Sequence, residues 1–106
     1  MKLGMVIYSS DSETVWNALR LGVFTLKQGD DVGVFLLAKG VEYQSLNTGK
    51  FNVTGMMDDL VAAGGEVHAC GSCLQLRKSD SAGVCEISTM QDLHQLVRDS
   101  DKLLTF

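Results

Sequence analysis

The chain has 106 residues, with nine Lys and Arg against thirteen Asp and Glu, a formal charge of −4. That length suits one domain spanning 1–106, and the acidic balance argues against direct nucleic-acid binding, which needs clustered positive charge. Hydrophobic residues make up 45%, yet no apolar run nears the ~20 residues of a membrane span, so no membrane partner is expected.

Leu3 to Tyr8 is a short, mostly apolar run and predicts a strand buried on both faces. It leads into a hydroxyl-rich turn with no small-residue cleavage site, so no signal peptide is expected. Ser10 stands three before Glu13, the spacing of a capping box. Val15, Trp16, Leu19, Val23 and Leu26 then recur at helical spacing, and Gly29 is placed to end the helix in the left-handed conformation. Trp16, Val23, Phe24 and Leu26 spread beyond one stripe, which predicts burial against a second subunit as well as the sheet.

Val32 to Ala38 is a second apolar run and a second strand. The polar stretch from Lys39 to Lys50 has no clear period and predicts a functional or interface loop. Lys39 and Lys50 flank it and could attract an acidic carrier protein, although isolated lysines are usually only solvated. Val53, Met56, Met57, Leu60 and Val61 mark a second helix closed by Gly64-Gly65, with both methionines as core or interface filler. Glu66 to Cys70 predicts a third strand, Gly71 to Lys78 a short helix or turn, and Val84 to Ile87 a weak fourth strand. Ser88 and Gln91 repeat the capping-box spacing before a helix with Met90, Leu93 and Val97 on one face. His94 falls among its polar neighbours. Lys102 to Phe106 closes the chain as a last strand.

Alternating strands and helices predict parallel strands joined by right-handed crossovers. The fold class is therefore α/β, a three-layer α/β/α sandwich around a mainly parallel five-stranded sheet. Ligands gather outside the carboxyl ends of such strands. Three segments reach that edge: Ser9-Ser10-Asp11, Lys39-Gly40 and Cys70. Ser9, Ser10 and Lys39 are thus the expected pocket edge.

Three cysteines, Cys70, Cys73 and Cys85, are too few and too oddly spaced for a secreted disulfide framework, and a cytoplasmic location is expected. Cys70-Gly71-Ser72-Cys73 is the sharpest feature. A thiol at a strand end with a helix behind it faces free backbone N–H groups and the positive end of the helix dipole. Both favour the reactive thiolate, and Arg77, two turns on, could add positive charge. The plain alternative makes Cys70 and Cys73 small buried hydrophobes.

Four chemical readings compete for the pair. A dithiol–disulfide exchanger fits the Cys-x-x-Cys spacing. A thioredoxin-type protein, however, sets that motif after an early strand beside a cis-Pro, and this chain has no Pro. A zinc site could draw on His68, Cys70, Cys73 and Cys85, but these lack two tight-turn ligand pairs; no metal is expected. A flavin or nucleotide phosphate could sit at Ser9 to Thr14, where Asp11 and Glu13 would repel it. A sulfur carrier needs one activated, accessible cysteine and no cofactor, which the chain supplies. A non-catalytic oligomeric scaffold is the binding-class alternative.

The run Val67-His68-Ala69-Cys70-Gly71-Ser72-Cys73-Leu74-Gln75-Leu76-Arg77 resembles the DsrE/DsrF-like family, and within it the YchN-like branch. The likeness extends to the hydroxyl-rich turn, Asn17 to Leu21, Val34 to Ala38, Glu86-Ile87 and Lys102 to Phe106. It implies a parallel α/β fold, assembly into homotrimers or homohexamers, and a sulfur relay in which one cysteine carries persulfide between a protein donor and a protein acceptor. Cys70 matches that carrier position and Cys73 the branch's second thiol. Lys78 departs from the family, which tends to have Gly after the Arg. Cys85 lies where no family thiol is expected and reads as a core residue. His68 shares a strand face with Cys70 and could accept a proton from it; a partly buried histidine bonded to backbone is the competing reading.

Overall fold

The computed structural model describes residues 1–79 and 81–106. In chain order it contains β1 (Lys2–Ile7), α1 (Ser12–Lys27), β2 (Asp31–Leu36), a 3-10 helix (Ala38–Ser45), α2 (Val53–Ala62) and β3 (Glu66–Cys70). These are followed by α3 (Gly71–Leu76), β4 (Glu86–Ser88), α4 (Met90–Asp99) and β5 (Lys102–Thr105). All five strands pair in parallel, in the order β4-β3-β2-β1-β5. The first three crossovers step the same way across the sheet. The fourth returns from one edge to the other, so β5 lies beside β1 and α4 covers the opposite face from α1 and α2.

The two helical layers are unequal. On one face α1 buries Val15, Ala18, Leu19, Gly22 and Thr25, and α2 buries Val53, Met57 and Leu60. They meet over Met5 and Val32: a Cβ on Gly22 would strike Leu60 Cδ1 at 2.6 Å and lie 3.5 Å from Met5 Sδ and Val32 Cγ1. On the other face α4 has no fully buried residue among those described. It gets close to the sheet over a pair of facing glycines, Gly4 and Gly33, which are register partners in β1 and β2. A Cβ on Gly33 would lie 2.6 Å from Leu96 Cδ1, and one on Gly4 would collide with Ser100. Leu93 and Leu96 rest there, while Met90 and Val97 stay exposed.

Several local expectations shift by a residue. The first helix is capped by Asp11, whose carboxylate accepts the Thr14 N–H at 2.9 Å, and not by a Ser10–Glu13 box. The Ser9 hydroxyl in turn accepts the Asp11 N–H. The last helix is capped by Thr89 with Asp92 in place of Ser88 with Gln91, because Ser88 still belongs to β4 and is buried there. β4 itself runs from Glu86 to Ser88, two residues later than the apolar run that begins at the half-exposed Val84. Gly29 has φ +89° and ends α1 as expected.

The stretch read as a loop from Lys39 to Lys50 opens instead with the 3-10 helix. Its i to i+3 bonds, such as Gly40 N–H to Leu37 C=O at 2.9 Å, leave no 3.6-residue period to detect. The apolar excess of α1 is partly absorbed within the chain: Trp16 packs on Phe51 with ring centroids 5.5 Å apart, and Arg20 lies over the Trp16 ring. Phe24 and Leu21 remain exposed. Among the described residues no helix is long and apolar enough to cross a membrane.

Candidate functional site

The register of three strands builds the site. Leu36 of β2 pairs with Ala69 of β3, and Cys70 pairs with Ser88 of β4. The end of β2 is thereby set beside the end of β3. Cys70 closes β3 in an extended conformation and caps α3, its Sγ accepting the Cys73 N–H at 3.4 Å. One helical turn carries Cys73 back over it, and the two Sγ atoms lie 2.9 Å apart.

A third group completes the pair. The Ala38 N–H points at Cys73 Sγ across 3.3 Å. Ala38 takes φ +50°, in the left-handed region that an L side chain enters at about 1–2 kcal/mol. That turn sends the chain out of β2 into the 3-10 helix with its N–H aimed at sulfur. Cys70 is only 5% exposed, whereas Cys73 is half-buried.

Burial is the largest influence on Cys70 and pushes its thiol up from the ordinary 9.0; the hydrogen bond with the Cys73 thiol adds to this. The N–H groups of Cys73 and Ser72 pull the other way and do not win. The expectation that the strand end and helix make Cys70 the thiolate is therefore corrected. α3 has only six residues, so its dipole is small, and the desolvation of charge at a buried sulfur outweighs it.

Arg77 is also engaged elsewhere. Its Nε donates to Glu42 Oε2 at 2.8 Å and its Nη1 to the Cys73 carbonyl at 3.0 Å. It ties the end of α3 to the 3-10 helix, and neither bond reaches a sulfur. His68 shares the strand face with Cys70, but its Nδ1 is bonded to Ser88 Oγ, with Glu86 Oε2 at 3.7 Å. Its partner is a hydroxyl on the neighbouring strand, neither the thiol nor the backbone. Gly71 and Ser72 form the turn between the thiols, and Ser72 is exposed. Ser9, Ser10 and Lys39 come together with Tyr8, Asp11 and Ala38 around an open cleft of about 670 Å³. Ala38 is shared between that cleft and the thiol pair.

The groups considered for zinc diverge, with His68 turned to Ser88 and Cys85 to Tyr43. No group of three or more His, Cys, Asp or Glu among the described residues could hold a metal ion. Cys85 is buried beside Tyr43, whose hydroxyl donates to the Ala82 carbonyl at 3.2 Å and accepts the Val84 N–H at 3.3 Å. Burial pushes the Cys85 thiol from 9.0 to about 11, and burial likewise holds Tyr43 well above the ordinary phenol range. For an acid whose folded pKa is raised, stability is complete below the unfolded value and is lost as pH rises through the folded one. The thermal midpoint should therefore hold up to about pH 9 and fall toward pH 11. Cys85→Ala should flatten part of that decline in a pH series of melting curves.

Sequence reasoning missed Ala38 and Glu42. Neither carries a signal, since one acts through its backbone and the other only because Arg77 reaches it across the fold.

The profile of the DsrE/DsrF-like family matches residues 1–106. An uncharacterised protein of Methanopyrus kandleri is 30% identical over 100 residues, 89% of this chain and 83% of its own. An uncharacterised protein of Methanocaldococcus jannaschii is 29% identical over 114 aligned positions that span both chains. The crystal structure of the ychN protein from E. coli superposes with a TM-score of 0.83 at 26% identity, over 100% of each chain. A conserved protein of unknown function from Bacteroides thetaiotaomicron shares the fold, with a TM-score of 0.81 at 17% identity over 99% of this chain and 94% of that one.

Proposed function

The chain belongs to the DsrE/DsrF-like family, and from that premise we propose that it carries sulfane sulfur as a persulfide on the Cys70–Cys73 pair in an intracellular sulfur relay. The observation that carries the reading is the approach of the two sulfurs, 2.9 Å apart at the carboxyl edge of a parallel sheet. Open sheets of this kind present their chemistry at that edge, and persulfide exchange needs only a thiolate that can reach the donor.

In the transfer step a thiolate of the pair attacks the outer sulfur of a donor persulfide. A new S–S bond forms on this chain, the donor's S–S bond breaks, and its electron pair leaves on the donor thiolate. Oxidation states balance without any cofactor. The acceptor protein then removes the sulfur by the same exchange. Exposed apolar side chains on both helical layers, Phe24 on α1 and Val97 on α4 among them, support a homotrimer or homohexamer as the working form.

Incubation with inorganic polysulfide followed by intact mass measurement tests the reading. The wild-type chain should gain sulfur that dithiothreitol removes, or release sulfide and close a Cys70–Cys73 disulfide, and the Cys70→Ser/Cys73→Ser double variant should do neither, because Cys85 is buried. Equal gain in the double variant, or neither sulfur gain nor sulfide release in the wild type, sinks it. The same short contact also favours a second reading, dithiol–disulfide exchange. A Cys70–Cys73 disulfide that turns over on small disulfides in a protein inert to polysulfide would select it.

A further inference from the structure

We infer that donor sulfur enters at Cys73, the half-buried thiol held by the Ala38 N–H, and that Cys70, buried directly behind it, is the resolving thiol. The assignment rests on the persulfide reading above and reverses the order expected from strand position, in which Cys70 would meet the donor first.

Three observations converge on it. Cys70 is 5% exposed while Cys73 is half-buried, so an incoming persulfide finds more of Cys73. Negative charge on Cys73 Sγ would be held by the Ala38 N–H, 3.3 Å away. Charge-assisted bonds of this kind are the stronger ones. Burial disfavours the charged form of Cys70, which keeps its proton while Cys73 attacks.

The sequence of bonds follows. Cys73 thiolate attacks the outer sulfur of the donor, giving Cys73–S–SH and a donor thiolate. Cys70 Sγ already lies next to Cys73 Sγ, which is the inner sulfur of that persulfide. Its attack there forms the Cys70–Cys73 disulfide and breaks the bond to the outer sulfur. The outer sulfur leaves as hydrosulfide and takes up the Cys70 proton as hydrogen sulfide. The dithiol is oxidised by two electrons and the sulfane sulfur is reduced by two. An acceptor that reaches Cys73–S–SH before Cys70 does receives the sulfur intact. The pair therefore chooses between delivery and release at one position.

Brief alkylation with iodoacetamide and peptide mapping tests the order of the thiols without any sulfur donor. Cys73 should label roughly tenfold faster than Cys70; faster labelling of Cys70 overturns the assignment. Polysulfide then tests the chemistry. Cys70→Ser should load and keep a persulfide, with no further sulfide released once the excess polysulfide has been removed. Cys73→Ser should load roughly tenfold more slowly than wild type. Wild-type loading in Cys73→Ser together with none in Cys70→Ser would also overturn it. If no form loads yet Cys73 still labels first, the relay reading fails and the order of the thiols stands. Far-ultraviolet circular dichroism of each Ser variant shows that the comparison is between folded chains.

Discussion

Gly40→Ala should destabilise the chain by about 3 kcal/mol, at the upper end of what overpacking costs. A Cβ at Gly40 would collide with the Ile7 carbonyl oxygen and lie 2.8 Å from the Ile7 carbonyl carbon. Those atoms are backbone at the carboxyl end of β1, a strand paired on both sides, and have no rotamer to yield. The 3-10 helix must lift instead, and it begins two residues earlier at Ala38. The same substitution should therefore also loosen the Ala38 N–H from Cys73. Urea titration would register the first effect as a lower midpoint, and alkylation of Cys73 under native conditions would register the second as a changed rate. An unchanged midpoint would show that the close passage of the 3-10 helix over β1 is not needed for stability.

Phe35→Ala should cost more, about 4 kcal/mol. Phe35 is 1% exposed and pairs in register with Val6 on one side and His68 on the other. Its face of the sheet is the one under α4, the layer with no fully buried residue of its own. Truncation therefore removes the largest apolar surface on which that helix can settle. Against a total stability of about 5–15 kcal/mol for a domain, the loss leaves little margin. Amide exchange should show α4 losing protection before α1 and α2. Uniform loss across all helices would mean that the two layers are energetically one.

The strands were legible because four of the five are apolar runs bounded by Gly or by charge, as at Asp30-Asp31 before β2. β3 falls where Glu66 to Cys70 predicts it. The caps slipped by one residue because Ser10 and Asp11, like Ser88 and Thr89, are both competent; only the backbone path decides which one faces the open N–H. Strand order left no trace in the pattern, since nothing in β5 names β1 as its neighbour. At the site, the Cys70–Cys73 pairing follows from one helical turn and was readable. The effect of burial was not, because exposure depends on what β4 and the 3-10 helix cover. Arg77 looked like a thiol activator for want of any sign that Glu42, 35 positions earlier, would take its Nε.

The Ala38 N–H and Cys73 Sγ come from segments 35 residues apart, set against each other by the register of the β2–β3 ladder. Sulfur reactivity in this chain is in that sense a reading of strand alignment. A slip of one residue between β2 and β3 would carry the donor about 3.3 Å along the strand and leave Cys73 facing a different backbone atom. A thiol-reactive probe then becomes a ruler for the sheet, sensitive to misregistered or half-assembled chains that retain their helices. Under the persulfide proposal, chains with an imperfect sheet would take up sulfur poorly well before they lost secondary structure.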